Sequence, residues 1–133
     1  VGEPHIQTLR RREKYVFFLP MERFANDIHR PSLLPGKVES MREKSIEEKL
    51  VAAVKAVGGV CWKFTSPGTA GMPDRIVLMP SGRIGFVEVK APGETPRPLQ
   101  RLRIRTLRRL GFKAFVLDSP EQIGGIIDAI QTP

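Results

Sequence analysis

"GMPDRIVLMPSGRIGFVEVKAPG", residues 71–93, holds two apolar runs, and each carries charge where a buried strand has no obvious use for it. The runs DRIVLM and RIGFVEVK are rich in β-branched and aromatic residues. The turn formers Pro80, Ser81 and Gly82 separate them at the spacing of a hairpin, so the two strands are expected to be antiparallel neighbours. Asp74 opens the first strand, and Glu88 and Lys90 lie among Phe86, Val87 and Val89 near the end of the second. Side chains alternate along a strand, which puts Glu88 and Lys90 on one face. A hairpin closing about residues 80–83 brings Asp74 level with them across the ladder. Two carboxylates and an ammonium are thus expected at one end of a sheet.

Charged residues in strands ordinarily face water from an edge, and any one of these three alone would be read that way. A carboxylate on the first helix shifts the balance. Ser45 followed by Glu48 forms a capping box, and Ile46, Leu50, Val51, Val54 and Val57 form a helical stripe that ends at Gly58-Gly59, so a helix is expected over 45–57. Glu48 falls on the polar side, but Glu47 falls within the apolar arc. A carboxylate on a packing face costs several kcal/mol unless it meets a cation or hydrogen-bond donors.

Inward-facing acids with a lysine, in a basic chain, suit a hard divalent cation. The chain has 2 histidines, His5 and His29, both near the start, and a lone Cys61. A histidine general base in the main domain, a zinc ribbon and an internal disulfide are therefore excluded. Mg²⁺ needs only carboxylate oxygens and water. Such an ion lowers the pKa of bound water and screens charge growing on a phosphorane, while a lysine serves the nucleophile or the transition state. That chemistry is phosphodiester hydrolysis.

The rest of the chain agrees. With 133 residues and 41% hydrophobic content it can bury one modest core, as a single α/β or α+β domain. A net charge of +8 points to a polyanionic partner, most commonly nucleic acid. Tyr15–Leu19, the longest apolar run near the start, is far too short to span a membrane or to form a signal h-region. With one cysteine and no targeting signal, a cytoplasmic setting is expected. Residues 1–40, with prolines at 4, 20, 31 and 35, read as an extension, and residues 41–133 as the domain. Val60, Trp62 and Phe64 alternate as a strand face, with Trp62 expected in the core. Leu99, Leu102, Thr106, Leu107 and Leu110 mark a second helix, FKAFVLD a further strand, and 120–130 a weak last helix interrupted by Gly124-Gly125. The expected order is α-β-β-β-α-β-α.

At this point a family resemblance is visible. PD at 73–74 and EVK at 88–90 resemble the PD-(D/E)XK nuclease signature; GMPDRIVL, GFVEVKAPG, PLQ and LRRLGF together resemble the VRR-NUC family, especially its small stand-alone phage and bacterial members. The resemblance covers roughly residues 41–130. It implies a restriction-endonuclease-like core, a mixed central sheet flanked by helices. It also implies a homodimeric endonuclease that uses Mg²⁺ or Mn²⁺ on branched DNA such as Holliday junctions, in the cytoplasm of a bacterium or a phage-infected host. Carried over by residue, Asp74 and Glu88 bind the metal with the Val89 backbone carbonyl, and Lys90 acts on the attacking water. Glu47 matches the acid that the family places on the first helix, and Gln100 the glutamine that opens the second.

Further candidates keep two readings. Arg101, Arg105 and Arg108 form a stripe opposite the leucines, either a solvated face or a track for DNA phosphates. Lys63 either approaches the scissile phosphate, as the resemblance favours, or meets solvent. Gly71 either lets a nucleic-acid backbone approach or simply turns the chain. Arg103 lies close to the leucine face and either snorkels past the core or turns toward the acids. The rival to an enzyme is a non-catalytic nucleic-acid-binding module on the same fold. A pure binder gains nothing by clustering acids near phosphates, and a sequence-specific restriction enzyme would need recognition elements absent from this chain.

Overall fold

The structure is a computed structural model and describes residues 34–133. The expectations for His5, His29, Tyr15–Leu19 and the rest of residues 1–33 of the extension lie outside the described residues. The elements are α1 (Pro35–Ala56), β1 (Val60–Lys63), β2 (Arg75–Met79), β3 (Arg83–Val89), α2 (Pro98–Arg109), β4 (Lys113–Leu117) and α3 (Ile123–Gln131). The order is the one expected from sequence. The strands form one mixed sheet in the order β1-β2-β3-β4. The first three are antiparallel, and β4 is parallel to β3. A parallel pair cannot be closed by a hairpin, and α2 supplies the crossover. The β2–β3 hairpin closes where Ser81 and Gly82 take φ of 69° and 73°, the left-handed region that matches the twist of the flanking strands.

Register decides what each face does. Cys61, Val77, Met79, Val87, Val89 and Leu117 are buried on one face, and together with Ile46, Leu50 and Val54 of α1 and Ile123, Ile126, Ile127 and Ile130 of α3 they form the core. Each fully buried aliphatic side chain there contributes about 1.5–3 kcal/mol. Among the described residues the opposite face is covered only in part. There α2 lies over β4, burying Gln100 and Ile104. Ile104 and Val116 line one cavity, and Arg108 Nε donates to the Ala114 carbonyl at 2.8 Å.

Four expectations are corrected. Helix α1 begins at Pro35, so Ser45 and Glu48 are interior residues and do not cap it. Proline's fixed φ suits a first helical turn, and the added turns carry charged, largely exposed side chains that leave no apolar period to read. Trp62 is 58% exposed because both core-forming helices pack on the other face. On α2 the leucines do not form the core contact: Leu99, Leu102 and Leu110 are exposed, and the helix is rolled so that Gln100 and Ile104 face the sheet. Helix α3 runs unbroken through Gly124 and Gly125, which lie outward with open space around them. Its isoleucines at i, i+3, i+4 and i+7 hold it to the core.

Gly85 of β3 leaves room for α3. A β-carbon there would stand 2.6 Å from Ile130 Cγ1. Gly85→Val should therefore lower stability by about 1–3 kcal/mol in urea denaturation, the usual cost of overpacking. On an Ile130→Ala background the same substitution should cost less. Equal costs in both backgrounds would show that α3 does not seat on Gly85.

Candidate active site

The site forms where β2 and β3 end. Beyond the regular strands, Phe64 N donates to Asp74 O at 2.7 Å and Lys90 N to Leu117 O at 2.8 Å. These bonds carry the ladders one residue further and fix the backbone at Asp74 and Lys90. Asp74 Oδ2 accepts a hydrogen bond from Val89 N at 3.1 Å, which ties the start of β2 to the end of β3.

Glu88 is 1% exposed. Its Oε2 accepts from Gln100 Nε2 at 2.7 Å and lies 3.4 Å from Lys90 Nζ. Its Oε1 is buried with no hydrogen-bond partner among the described residues. The glutamine is oriented by the helix it opens: Arg97 N donates to Gln100 Oε1 at 2.8 Å, so the amide nitrogen is left to face Glu88. An unpartnered buried carboxylate oxygen is costly. Burial, and next the neighbouring Asp74 charge, raise the Glu88 pKa to about 7 against the pull of Lys90. Burial also raises the Asp74 carboxyl, opposed by its bond from Val89 N.

Glu47 is held elsewhere. Its Oε2 accepts from Arg75 Nε at 2.8 Å and lies 3.7 Å from Lys63 Nζ. Arg75 also reaches the Cys61 carbonyl through Nη1 at 3.3 Å. Glu47 still raises the Asp74 pKa, so it stands near the acids, but its hydrogen bond goes to a cation on the core-facing side of the sheet. The helix acid that sequence reasoning missed is Glu43, one turn earlier. Its pKa is raised by burial and then by Asp74, with Lys90 opposing, and it in turn raises Glu88. Placing the helix start at Ser45 hid it; continuing the helical period four residues upstream of Glu47 finds it.

The remaining candidates do not join the acids. Arg101 Nη1 donates to the Pro96 carbonyl at 2.7 Å, Arg108 is bonded to β4, and Arg105 is exposed. Arg103 takes neither expected course: its Nε donates to the Ala70 carbonyl at 2.8 Å, fastening the loop before β2 to α2. Gly71, at φ 86°, lies where a β-carbon would stand 2.8 Å from Leu99 Cγ, an approach to α2 that a side chain would block. Lys63 keeps an exposed side chain beside Glu47.

Among the described residues, no three His, Cys, Asp or Glu side chains converge as a closed metal cage. The donor set fits a cation that keeps much of its water. Asp74 and Glu88 are hard oxygen donors, the Val89 carbonyl is the third expected ligand, and Glu88 Oε1 has no partner among the described residues.

Comparison with known proteins points to one family. The sequence signature of the VRR-NUC domain matches residues 29–121. A curated relative from Acyrthosiphon pisum secondary endosymbiont phage 1, named "Putative nuclease p44", is 48% identical over 90 residues, spanning 68% of this chain and 96% of its own length. A solved structure described as a VRR_NUC domain superposes with a TM-score of 0.61 at 31% identity, covering 65% of this chain and 95% of that one.

The Glu88 shift makes stability depend on pH. Below 4.5, the ordinary value, folded and unfolded chains both hold the proton; between 4.5 and about 7 the folded protein retains a proton that the unfolded chain has shed. Stability of the metal-free protein should therefore fall as pH rises through that window, by on the order of 3 kcal/mol at about 1.4 kcal/mol per unit. Asp74 and Glu43 are shifted in the same direction and should steepen the fall. Urea denaturation of Glu88→Gln should show a flatter profile. A wild-type profile that rises from pH 5 to 7 would contradict the assigned burial.

Proposed function

Because the chain belongs to the VRR-NUC family and carries a nuclease domain, we propose that it is a metal-dependent endonuclease that hydrolyses phosphodiester bonds in branched DNA such as Holliday junctions, acting as a homodimer in bacterial or phage-infected cytoplasm. One observation carries the metal-dependent reading: a buried glutamate with a free oxygen beside a second carboxylate and a lysine. A binding module would have no reason to bear that cost near phosphates.

In this reading Asp74, Glu88 and the Val89 carbonyl would hold Mg²⁺ or Mn²⁺. Such an ion would lower the pKa of a bound water and offset charge that develops on the phosphate. Lys90 orients the attacking water and steadies the transition state in this reading, which its Nζ at 3.4 Å from Glu88 Oε2 supports. Gln100 is a positioning residue that holds the Glu88 carboxylate through its Oε2. Glu43 and Glu47 add negative charge that favours a cation, and Arg75 holds Glu47 in place. Lys63, Gly71, Arg101, Arg105 and Arg108 are the proposed DNA contacts, within a chain of net charge +8 that draws the substrate in.

Cleavage of a four-way junction, a flap and a linear duplex, each with Mg²⁺, Mn²⁺ or EDTA, tests the reading. Cleavage of branched substrates with either ion and none with EDTA is expected. Glu88→Gln and Lys90→Ala should each lower the rate by about 100-fold or more, while junction binding persists. If wild type binds junctions but cuts nothing with any ion, the protein is a binding module. Arg105→Ala should weaken binding and lower the salt slope by about one. An unchanged slope would leave Arg105 as a solvated residue.

A further inference from the structure

Helix α2 reaches the site by more than Gln100. Leu99 and Arg103 stand four residues apart and share a flank of the helix beside it. Both meet the loop that leads into β2. Arg103 Nε donates to the Ala70 carbonyl at 2.8 Å. At Gly71 a β-carbon would lie 3.2 Å from the carbonyl carbon and oxygen of Leu99, so loop backbone rests on helix backbone there. Only Met72 and Pro73 separate Gly71 from Asp74. Pro73 is fully buried and its ring fixes φ, which makes the link short and stiff. The ladder holds Asp74 on its carbonyl side, where Phe64 N donates at 2.7 Å. On its amino side the loop sets the approach.

We propose that Arg103 is a positioning residue for Asp74, acting through the Ala70 carbonyl. The inference deepens the proposed function and rests on that reading only for the role of Asp74 as a metal ligand. The two carboxylates come from different strands, yet each is tied to the first turns of α2. Glu88 is held by the Gln100 amide at 2.7 Å, and Asp74 follows the loop that Arg103 and Leu99 hold. Mg²⁺ demands near-ideal placement of its oxygen ligands, so a cation shared by two carboxylates needs their separation fixed. One helix that carries both ties fixes it. Other roles suit Arg103 less well. It forms no salt bridge among the described residues, and its hydrogen bond is exposed. Water readily replaces such a bond, so fold stability alone does not explain holding a long side chain against one carbonyl. A phosphate contact would use the guanidinium fork, but here Nε is committed to the loop. Arg101, Arg105 and Arg108 project from the other flank of the helix by its 3.6-residue period.

Two substitutions in the full chain separate the hydrogen bond from the charge. In Arg103→Gln the amide nitrogen stands as many bonds from the backbone as Nε, so the donor stays and the charge goes; Arg103→Met keeps the length and removes both. Junction cleavage with Mn²⁺ should show kcat lowered by about 10-fold or more in Arg103→Met and near wild type in Arg103→Gln, with the same KM in the two variants. Mn²⁺ affinity of the DNA-free protein should fall on the same scale in Arg103→Met alone. A third readout needs neither metal nor DNA. The Val89 amide, which donates to Asp74 Oδ2 at 3.1 Å, should exchange its hydrogen about 10-fold faster in Arg103→Met while the rest of β3 keeps its rates. Far-UV circular dichroism should show both variants folded. Equal losses in both variants, with raised KM and a shallower salt dependence, would make Arg103 a phosphate contact and overturn the proposal. An Arg103→Met protein whose Val89 amide exchanges as in wild type overturns it as well. If wild type neither cuts DNA nor binds Mn²⁺, the nuclease reading fails, and the Val89 amide still decides whether Arg103 positions Asp74.

Discussion

The hydrogen bond from Gln100 to Glu88 ties the site to the fold. It spans the crossover between β3 and α2, is buried, and joins a helix that holds few other core side chains to the strand that carries the charge. Gln100 uses its oxygen to cap its own helix and its nitrogen to bind Glu88, so the start of α2 and the orientation of the carboxylate are set by one amide. The roll of α2 follows. With Gln100 and Ile104 turned to the sheet, the leucines go outward, and among the described residues no helix covers that side of β1 and β2. The proposed acid cluster is a consequence of that seating.

Much of this was legible because the hairpin has a short turn and alternation has a period of two. Once Pro80-Ser81-Gly82 was read as the turn, the placement of Asp74 beside Glu88 and Lys90 followed from register, as did the antiparallel pairing. The element order was legible for the same reason, since each element is followed within a few residues by a glycine or proline. Helix amphipathicity was less informative. On α2 the leucine stripe looks like a core face, but a buried polar contact outweighs it; a glutamine that is half cap and half ligand to a carboxylate has no hydrophobic signature. On α1 the exposed charged turns before Ser45 gave no apolar period, and Glu43 was lost with them.

The roles of the two helix acids also could not be separated from sequence. Glu47 and Glu43 lie one turn apart, and a helical wheel puts both near the sheet. What divides them is Arg75, the residue immediately after Asp74. Alternation sends Arg75 to the face opposite Asp74, where it captures Glu47. Neighbouring residues on one strand thus serve different sides: Asp74 faces Glu88 across the hairpin, and Arg75 anchors the helix.

The central claim is that the buried carboxylate of Glu88, incompletely satisfied by protein, and Asp74 together form a cation site. Titration of Mn²⁺ into the DNA-free protein, followed by electron paramagnetic resonance of the unbound ion, addresses it without reference to cleavage. The account predicts saturable binding by wild type that is lost in both Asp74→Asn and Glu88→Gln and retained in Lys90→Ala. Equal binding by wild type and Glu88→Gln, or none by any of them, would contradict it.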